Sequence, residues 1–441
     1  MLSAYFLTHA TTEAKLSTRT FYNSVAIDLA EAGVDYAMLD INNSALTTAN
    51  SWRAATDNAA SWVKSFGGVS DTKYNLGQGT GTVYVRVDNW TAATSNLVTI
   101  TSCGCVAINK MPAIYRQLIV KVRKRPMTSA GMLAKGAIDF GGGTTADSYD
   151  SSIGVPSSTN RSDTAMLATA SVTSRISTGQ SLSVYGYVST AGHVMSTTDL
   201  GVGGRIYGAT TAAGVTIDPT RVRTDFSQNI PDAVAPTGTP IVLAPISATT
   251  TLPRVGDTPN NGTRFLYNVS SISLTNSNLT ITGPVDLVVD GAFSMNALGT
   301  SQLAVTSVSG SLPSLGLYIK GAVTIDGNGI VNSTNIPSKC MLYGTGNAAW
   351  IINMHTAVIT AVIYAPNSTV NTAGDGQFTS INGAITANML TYNCGGAFHY
   401  DIQLGGMPSP YYGVKSWVEL TDWSASTSPF KRDNRDPFTF L

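Results

Sequence analysis

One short phrase, a Gly-Ala pair inside a strand-like run, recurs along this chain and limits the folds open to it. Its clearest copy lies in LYIKGAVTIDGNG, Leu317 to Gly329, where apolar and polar residues alternate ahead of a DGNG turn. The four copies of the phrase are Ala134–Phe140, Val289–Met295, Ile319–Ile325 and Ile381–Ala387. Repeats made of strands and turns predict a chain that winds on itself and buries its apolar side by stacking.

The spacing of the phrase predicts how the chain winds. Gly291, Gly321 and Gly383 are separated by 30 and 62 residues, so the second interval is close to twice the first. We therefore expect one coil without the phrase between Gly321 and Gly383, in a parallel β-solenoid, or β-helix. The alternative is that Gly-Ala recurs by chance in a chain with 42 glycines.

Charged residues are scarce in this sequence. They make up 12% of the chain, about half the usual share, and the formal net charge is zero. Solubility then depends on Ser, Thr, Asn and Gly, as is common in exported surface proteins. The main basic cluster is only Lys121, Arg123, Lys124 and Arg125, so nucleic acid is not an expected partner.

The four cysteines are Cys103, Cys105, Cys340 and Cys394. An even number is compatible with disulfides in an oxidising compartment, and the spacing leaves their pairing open. No histidine follows the Cys-Gly-Cys pair at zinc-finger spacing. We therefore predict neither a metal site nor a cofactor, and take all four cysteines as candidates for disulfides.

The strongest helical pattern covers Leu2 to about Leu46, where apolar residues recur at three- to five-residue steps and proline is absent. The residues of this predicted helix face, which we call the assembly face, are Leu16, Phe21, Val25, Leu29, Ala32, Tyr36 and Leu39. A second helix is expected from about Ser51 to Phe66, ending before Gly67. Together these predict a helical start to an otherwise strand-rich chain.

Strand patterns dominate the rest of the sequence. Three alternating runs, Gly81–Asn89, Asn96–Cys105 and Gln117–Arg125, predict a small antiparallel sheet packed on the first helix. The fold class is therefore mostly β with a long N-terminal α-helix. The predicted divisions are the helix and antiparallel sheet (1–129), a first solenoid segment (130–214), a Pro-rich connector (215–262), the main solenoid (263–405) and a C-terminal tail (406–441).

Three stretches together carry a family resemblance. Thr8–Met38 contains Ala-Glu-Ala-Gly at Ala30–Gly33, and the strand-rich stretches Ala130–Ser152 and Val362–Asp401 follow. The first resembles the helix of a PilX-type minor type IV pilin, or of a close pilin-like relative. The other two look like the solenoid domain attached to such helices in large bacterial surface proteins. The Ala-Glu-Ala-Gly segment alone is less specific, because the minor pseudopilin that caps type II secretion pseudopili has a similar one.

The resemblance implies a structural component of a type IV pilus-like filament or its tip, located outside the bacterial cell. Residues 1–129 would be the pilin-like domain, and the assembly face would pack against other pilin-like subunits or against the chain's own sheet. The family begins with a basic leader, a peptidase site and about twenty apolar residues that span the membrane. Here Met1-Leu2 lies near the end of where that span is expected, so contact with a membrane is expected only through a segment upstream.

Two other functions stay open. A secreted adhesin would bind glycans or a host surface, and Tyr411, Tyr412, Trp417 and Trp423 are candidates for stacking on sugars, although packing explains them equally well. A β-helix carbohydrate-active enzyme would need paired carboxylates. The candidate catalytic residues for that alternative are Asp286, Asp290 and Asp326. Because the last two precede glycines, where aspartate commonly forms turns, we predict no catalysis.

Other polar residues are expected to be structural. Asp139, Asp147 and Asp150 flank three glycines, but their spacing fits no calcium loop. The histidines are His9, His193, His355 and His399, and none belongs to a recognised nucleophile or metal motif. We expect His355 and His399 at turns or half-buried.

Overall fold

The structure is a computed structural model of the chain. It describes residues 2–43, 46–58, 60–66, 74–77, 79–90, 97–109, 111–124, 128, 130–173, 175–178, 180–228, 230–296, 301–308, 312–326, 328–354, 358–374, 380–407 and 412–420. The chain forms two compact units: unit 1 comprises residues 1–125 and 408–441, and unit 2 comprises residues 126–407. Unit 2 is therefore an insertion within the sequence of unit 1.

Most elements are strands. Those of unit 1 before the insertion are helix α1 (Leu2–Asn42), a 3₁₀ helix (Thr48–Asn50), β1 (Arg53–Ala54), β2 (Trp62–Phe66), β3 (Tyr74–Asn75), β4 (Gly79–Asp88), β5 (Val98–Ile108) and β6 (Ile114–Lys124). The first segment of unit 2 holds β7 (Met132–Ala134), β8 (Ile138–Phe140), β9 (Thr144–Tyr149), β10 (Ala165–Thr169), β11 (Ile176–Thr178), β12 (Leu182–Ser189), helix α2 (Thr197–Leu200), β13 (Arg205–Tyr207), a 3₁₀ helix (Pro219–Arg221) and β14 (Val222–Arg223).

The longer segment of unit 2 follows residue 240. It holds β15 (Ile241–Leu243), β16 (Thr250–Leu252), β17 (Phe265–Val269), β18 (Ile272–Leu274), β19 (Asn278–Ile281), β20 (Pro284–Val289), β21 (Phe293–Met295), β22 (Gln302–Val305), β23 (Ser314–Ile319), β24 (Val323–Ile325), β25 (Ile330–Asn332), a 3₁₀ helix (Pro337–Lys339), β26 (Cys340–Gly344), β27 (Trp350–Met354), β28 (Val358–Gly374), β29 (Ser380–Asn393), β30 (Ala397–Asp401) and a 3₁₀ helix (Ile402–Gly406). The chain then returns to unit 1 with β31 (Tyr412–Leu420).

Unit 1 contains the predicted small antiparallel sheet. Its strand order is β1-β2-β4-β5-β6-β31, with β3 paired to β4. The three central strands are those that the alternation predicted, and the class of a mostly β chain with a long N-terminal helix is confirmed. Strand β31 comes from the predicted tail, and it pairs antiparallel with β6 across the insertion. Residues 421–441 of that tail lie outside the described residues.

The second predicted helix is wrong. Within residues 51–66 the chain instead forms β1 and β2, which pair with each other, and β2 also pairs with β4. Two residues between β1 and β2 are bound by β4. The carboxylate of Asp57 accepts from Arg86 Nη1 at 2.8 Å, and the hydroxyl of Ser61 donates to Asp88 at 2.5 Å. These contacts pair polar groups of the extended segment with β4, so tertiary bonding overrides the local helical spacing.

Helix α1 approaches the sheet unusually closely at one point. Gly104 on β5 faces the helix, where an added Cβ would lie 2.0 Å from the carbonyl oxygen of Ala26 and 2.8 Å from the amide nitrogen of Ala30. On the helix, a Cβ at Gly33 would lie 2.2 Å from Ser102 Oγ. Small residues on both surfaces thus bring the helix and strand backbones together, as glycine allows. Among the described residues, no helix has the length and apolar character needed to cross a membrane.

Unit 2 is built from parallel strands in register. One column of paired strands runs β15-β17-β20-β23-β26-β28-β29-β7-β10-β12-β14, and a second runs β18-β21-β24-β27-β28-β29-β8-β11. The long strands β28 and β29 belong to both columns. Together with β9, β13 and β30, which pair with β12 and β29, the two columns form one parallel sheet of 20 strands. A separate sheet of four strands runs β16-β19-β22-β25.

The order of strands in space differs from their order in the chain. Strand β7, near the start of unit 2, pairs with β29, near its end. The predicted connector 215–262 includes β15 and β16, which pair with β17 and β19. The segment between β14 and β15 accepts two hydrogen bonds from β28. The hydroxyl of Tyr364 donates to the carbonyl of Pro231 at 2.6 Å, and Asn367 donates to Asp232 at 2.8 Å. The part of the connector around Pro231 therefore lies against the outside of the parallel sheet.

Three of the four Gly-Ala phrases occupy equivalent places in the columns. Gly291 and Gly321 follow the paired residues Val289 and Ile319, and the amide of Gly321 donates to the carbonyl of Gly291 at 3.0 Å. Gly136 occupies the same position two residues after Ala134 in β7. A Cβ at Gly321 would lie 2.4 Å from that carbonyl, so close stacking of backbones explains the glycine.

The fourth phrase does not fit this pattern. Gly383 lies opposite Ala361 in the middle of β29, with φ near +143° and a virtual Cβ 1.9 Å from the carbonyl of Ala361. Two strands of the first column, β26 and β28, stand between β23 and β29, where the spacing predicted one coil. The prediction of one coil within the interval of 62 residues is therefore wrong, because the number of residues between successive paired strands is not constant.

Candidate functional site

The structure divides the predicted assembly face of α1 between exposed and packed residues. Leu16 and Phe21 are each 61% exposed, Leu39 is 57% exposed and Tyr36 is 46% exposed. Val25 and Ala32 are half-buried, and Leu29 is buried. Of the two packing partners that the sequence allowed, the chain's own sheet therefore takes Leu29, contacts Val25, and stacks Phe66 of β2 on the ring of Tyr36 with the ring centroids 4.7 Å apart. It leaves Leu16, Phe21 and Leu39 at the surface.

The face of α1 that packs on the sheet adjoins the assembly face and shares Leu29 with it. Its buried residues are Tyr22, Ala26, Leu29, Ala30, Val34, Ala37 and Ile41. All seven share one core with residues of β4, β5 and β6. The alanine-rich face is selected because the backbone contact at Gly104 leaves no room for larger groups. The apolar periodicity of the sequence did not indicate this face, because three of its seven buried residues are alanines, which are less apolar than the bulky residues of the assembly face.

The Ala-Glu-Ala-Gly segment has a physical role in this packing. Ala30 and Gly33 face the sheet, whereas Glu31 is exposed. Residues three apart share a helix face, so the small pair marks the contact line. The exposed residues Phe21, Tyr36 and Leu39 lie on the neighbouring side of the same helix.

Among the side chains of α1 that the structure describes, those before Tyr22 are more exposed than those after it. Side chains from His9 to Phe21 are exposed, apart from the half-buried Thr18, whereas packing on the sheet begins at Tyr22. His9 Nδ1 lies 3.2 Å from the carboxylate of Glu13, one turn later in this exposed part. From His9 onward, the helix thus has an exposed segment that ends at Phe21 and a segment packed on the sheet that begins at Tyr22.

The four cysteines, all among the described residues, are not joined by disulfides. Cys103, Cys340 and Cys394 are buried, and Cys105 is half-buried on the same side of β5 as Cys103. Burial raises the pKa of the Cys340 thiol to about 12. Burial likewise raises the pKa of Cys394 to about 12, although its hydrogen bonds with Thr372 and Asn393 oppose the shift. Burial also raises the pKa of Cys103 well above its usual value.

The three aspartates of the enzyme alternative are held separately. Asp286 on β20 accepts from Arg264 Nε at 2.7 Å, while Asp290 accepts from Asn268 Nδ2 at 2.9 Å. Asp326 follows β24, which pairs with β21 and β27, whereas β20 pairs with β17 and β23. The sheet topology therefore places Asp326 in a different column from Asp286 and Asp290.

The aspartates considered for calcium, together with His193 and His399, are held in polar contacts with neighbouring side chains. Asp139 accepts from Ser177 Oγ at 2.8 Å, and Asp150 accepts from Ser152 Oγ at 2.6 Å. Asp147 contacts Arg161 and His399, and His193 lies 3.1 Å from Asp199. His355 is outside the described residues. In the part of the chain that the structure describes, no group of three or more His, Cys, Asp and Glu residues is arranged to hold a metal ion.

The tail aromatics fall into different environments. Tyr412 on β31 is buried beneath Lys124, whose Nζ lies 5.6 Å from the ring centroid. Trp417 on the same strand is 49% exposed, beside the exposed Val418. Tyr411 and Trp423 lie outside the described residues. Packing therefore explains Tyr412, while Trp417 remains on the surface.

Comparison with known proteins identifies one family match. Residues 241–407 match the model of a family described as a domain of unknown function (DUF7305). The matched region begins with β15 and ends just after the last 3₁₀ helix of unit 2. No curated protein and no solved structure matches the chain.

Proposed function

We propose that this chain is a structural, non-enzymatic subunit of a type IV pilus-like filament or its tip, on the surface of a bacterial cell. The observation that carries the proposal is the surface of α1, which packs on its own sheet through its alanine-rich face and leaves Phe21 and Leu39 exposed together on a neighbouring side. Large apolar side chains at the surface are typical of protein interfaces when they lie together. The resemblance of Thr8–Met38 to a pilin-like helix supports the same assignment.

The partner that best fits this surface is the helix of another pilin-like subunit. Phe21, Tyr36 and Leu39 recur at spacings that place them along one side of the helix, and half-buried Val25 and Ala32 lie between them. Such a ridge of side chains packs into the groove of a second helix. The sheet already covers the alanine-rich face, so each helix can hold its own domain and still offer this second side.

We further propose that unit 2 winds as a parallel β-solenoid, or β-helix, that the filament displays. Successive strands of each column pair in register, and Gly291 and Gly321 stack at equivalent positions. Stacked coils protect the core with few charges and give a stiff body. The separate pairing of Asp286 with Arg264 and of Asp290 with Asn268 favours a structural role for these carboxylates over acid/base chemistry.

The assembly proposal is tested with filaments sheared from cells that produce the protein. Phe21→Asp and Leu39→Asp each place a charge on the exposed face of α1, and we expect at least tenfold less of the chain in the filament fraction by immunoblot. Val202→Asp, at a 94% exposed position in unit 2, is the matched control and should leave recovery unchanged. Total protein measured in the same cells separates lost assembly from lost folding.

Equal recovery of Phe21→Asp, Leu39→Asp and the original chain would remove the assembly role of this face. Complete absence of the chain from surface filaments, with normal amounts in the culture medium, would instead support a free secreted protein.

A further inference from the structure

A pocket on the outside of unit 2 lies between a strand surface and a loop. The neighbouring strands are β30, β9, β12 and β13, and the loop is formed by residues 150–164. The pocket has a volume of about 530 Å³ and is lined by Thr145, Ser157, Ser158, Arg161, Tyr207 and His399, among others. Small-molecule sites commonly have volumes of about 300–1,000 Å³.

The loop over the pocket is fixed by its own hydrogen bonds. Asn160 is buried, and its side-chain nitrogen donates to the carbonyls of Asp150 at 2.9 Å and Gly154 at 3.0 Å. The loop is also tied to β9, because Ser148 and Ser162 exchange backbone bonds of 2.7 and 3.1 Å. A ligand would meet a largely preformed wall, which lowers the entropy cost of binding.

The floor of the pocket is a row of polar and aromatic side chains. His399 pairs with Asp147 across β30 and β9, and Tyr185 pairs with Tyr207 across β12 and β13. Of these four residues, Asp147, Tyr207 and His399 line the pocket. Ala146 pairs with Val184, which places Asp147 beside Tyr185. Along each strand these side chains are flanked by residues that point into the core, so they themselves point outward.

Arg161 descends from the loop onto this row. Its Nε lies 2.7 Å from Asp147 Oδ2, and its guanidinium carbon lies 4.5 Å from the centre of the Tyr185 ring. Asp147 also contacts Nδ1 of His399, so Nε2 is the ring nitrogen left for a ligand. The Asp147 carboxylate thus orients one cation and one imidazole toward the same space.

The pocket lining offers one guanidinium, that of Arg161. Its side chain is 39% exposed although it pairs with Asp147, which is only 7% exposed, so Arg161 and not Asp147 is the charged group most open to a ligand. A guanidinium can hold a carboxylate through two parallel hydrogen bonds. The hydroxyls of Thr145, Ser157 and Ser158 lie at the surface, where they can exchange bonds with the hydroxyls of a sugar.

We propose that this pocket binds a saccharide that carries a carboxylate, such as a uronic acid residue of a glycan. Arg161 contacts the carboxylate, the ring of Tyr207 packs on the carbon-bound hydrogens of the sugar, and the loop hydroxyls bind its hydroxyl groups. The site lies wholly within unit 2 and does not depend on filament assembly. It goes beyond the proposed structural role by giving the displayed body a recognition function.

Isothermal titration calorimetry with the full chain tests this assignment. The probes are a glucuronate-containing disaccharide and the same disaccharide with glucose in place of glucuronate, and we expect at least tenfold tighter binding of the acidic probe. Ser158→Trp fills the pocket from an exposed position and should weaken binding at least tenfold. Arg161→Lys keeps the charge but loses the planar fork, and should remove the preference for the acidic probe.

Arg175→Lys is the matched control, since Arg175 is exposed on unit 2 and does not line the pocket. Equal affinity for the two probes, binding of neither probe, or full binding by Ser158→Trp would each overturn the proposal. Far-ultraviolet circular dichroism and the unfolding midpoint of every variant establish that the comparisons are made between folded proteins.

Discussion

Unit 1 and unit 2 bury their apolar residues in different ways. In unit 1 the core lies between two kinds of element, α1 and an antiparallel sheet, and is closed by a backbone contact at Gly104. In unit 2 the core lies between the parallel sheet of 20 strands and the separate four-stranded sheet, and its inward residues come from nearly every strand. The first arrangement depends on one fitted interface, whereas the second repeats the same pairing many times.

The outer surfaces differ as well. The helix of unit 1 leaves Phe21 and Leu39 exposed, although it has an alanine-rich face against the sheet. The outward side of unit 2 instead carries ion pairs such as Arg264 with Asp286 and Arg161 with Asp147. Exposed apolar surface favours association with other chains, and ordered polar surface favours recognition of polar ligands. The two units are therefore suited to different tasks.

The largest effect is expected where the fitted interface of unit 1 is tightest. Gly104→Val places side-chain atoms where even a Cβ lies 2.0 Å from the Ala26 carbonyl. We expect the free energy of unfolding of unit 1 to fall by about 3 kcal/mol or more, since backbone on the helix side cannot yield. Hydrogen exchange followed by mass spectrometry measures this in peptides from β5, while peptides from β23 in unit 2 should be unchanged.

Gly143→Val is the control for this substitution. A Cβ at Gly143 has its nearest neighbour at 3.8 Å, so it should not alter exchange in either unit by a comparable amount. If β5 remained protected from hydrogen exchange in Gly104→Val, the close contact of helix and sheet would not be what stabilises unit 1.

A smaller effect is expected from the polar surface of unit 2. Arg264→Met leaves the carboxylate of Asp286, 7% exposed, without its cation, and also removes the bond to Ser314 Oγ at 2.7 Å. Because Arg264 is 31% exposed, we expect a loss of about 2 kcal/mol, below the cost for a fully buried pair. Exchange in peptides from β20 and β23 provides the measurement.

The double variant Arg264→Met with Asp286→Asn should recover at least half of that loss, because the unpaired charge is removed. Arg254→Met breaks a surface pair with Asp257 and should have no measurable effect. An equal effect of Arg254→Met and Arg264→Met would mean that the outer pairs of unit 2 act only through general surface charge.

The smallest effect is chemical and concerns the thiols. Since burial raises the pKa of Cys340 and of Cys394 to about 12, little thiolate forms at pH 8 and unit 2 should react slowly with a disulfide reagent. In unit 1 the half-buried Cys105 should react first, and Cys105→Ser should remove that phase. Denaturation in urea should release all four thiols, whereas fewer than four would support the disulfides that the even cysteine count allowed.

Local patterns were sufficient for part of this structure. The helix Leu2–Asn42 and strands β4, β5 and β6 follow from apolar spacing, because each pattern agrees with the environment in which the element lies. The predicted helix over 51–66 failed because Arg86 and Asp88 on β4 bind its polar residues in an extended form. A single sequence shows no sign of these partners at a distance.

The candidate sites show the same division. The sequence singled out Phe21 and Leu39, but which side of α1 meets the sheet depended on Gly104, more than sixty residues away. The pocket of unit 2 escaped prediction altogether, because Asp147 and His399 are 252 positions apart and meet only when β9 pairs with β30. No local motif surrounds either residue.

By itself, the sequence determined the kinds of element in this protein: one long helix, an antiparallel sheet, and many short strands with Gly-Ala phrases. These follow from side-chain periodicity and from the need for glycine where backbones stack, which act over a few residues. Only the tertiary structure decided that β7 meets β29, that Gly383 differs from Gly291 and Gly321, and that β31 returns to β6. Those choices depend on long-range strand pairing, whose register is set by packing across the whole chain.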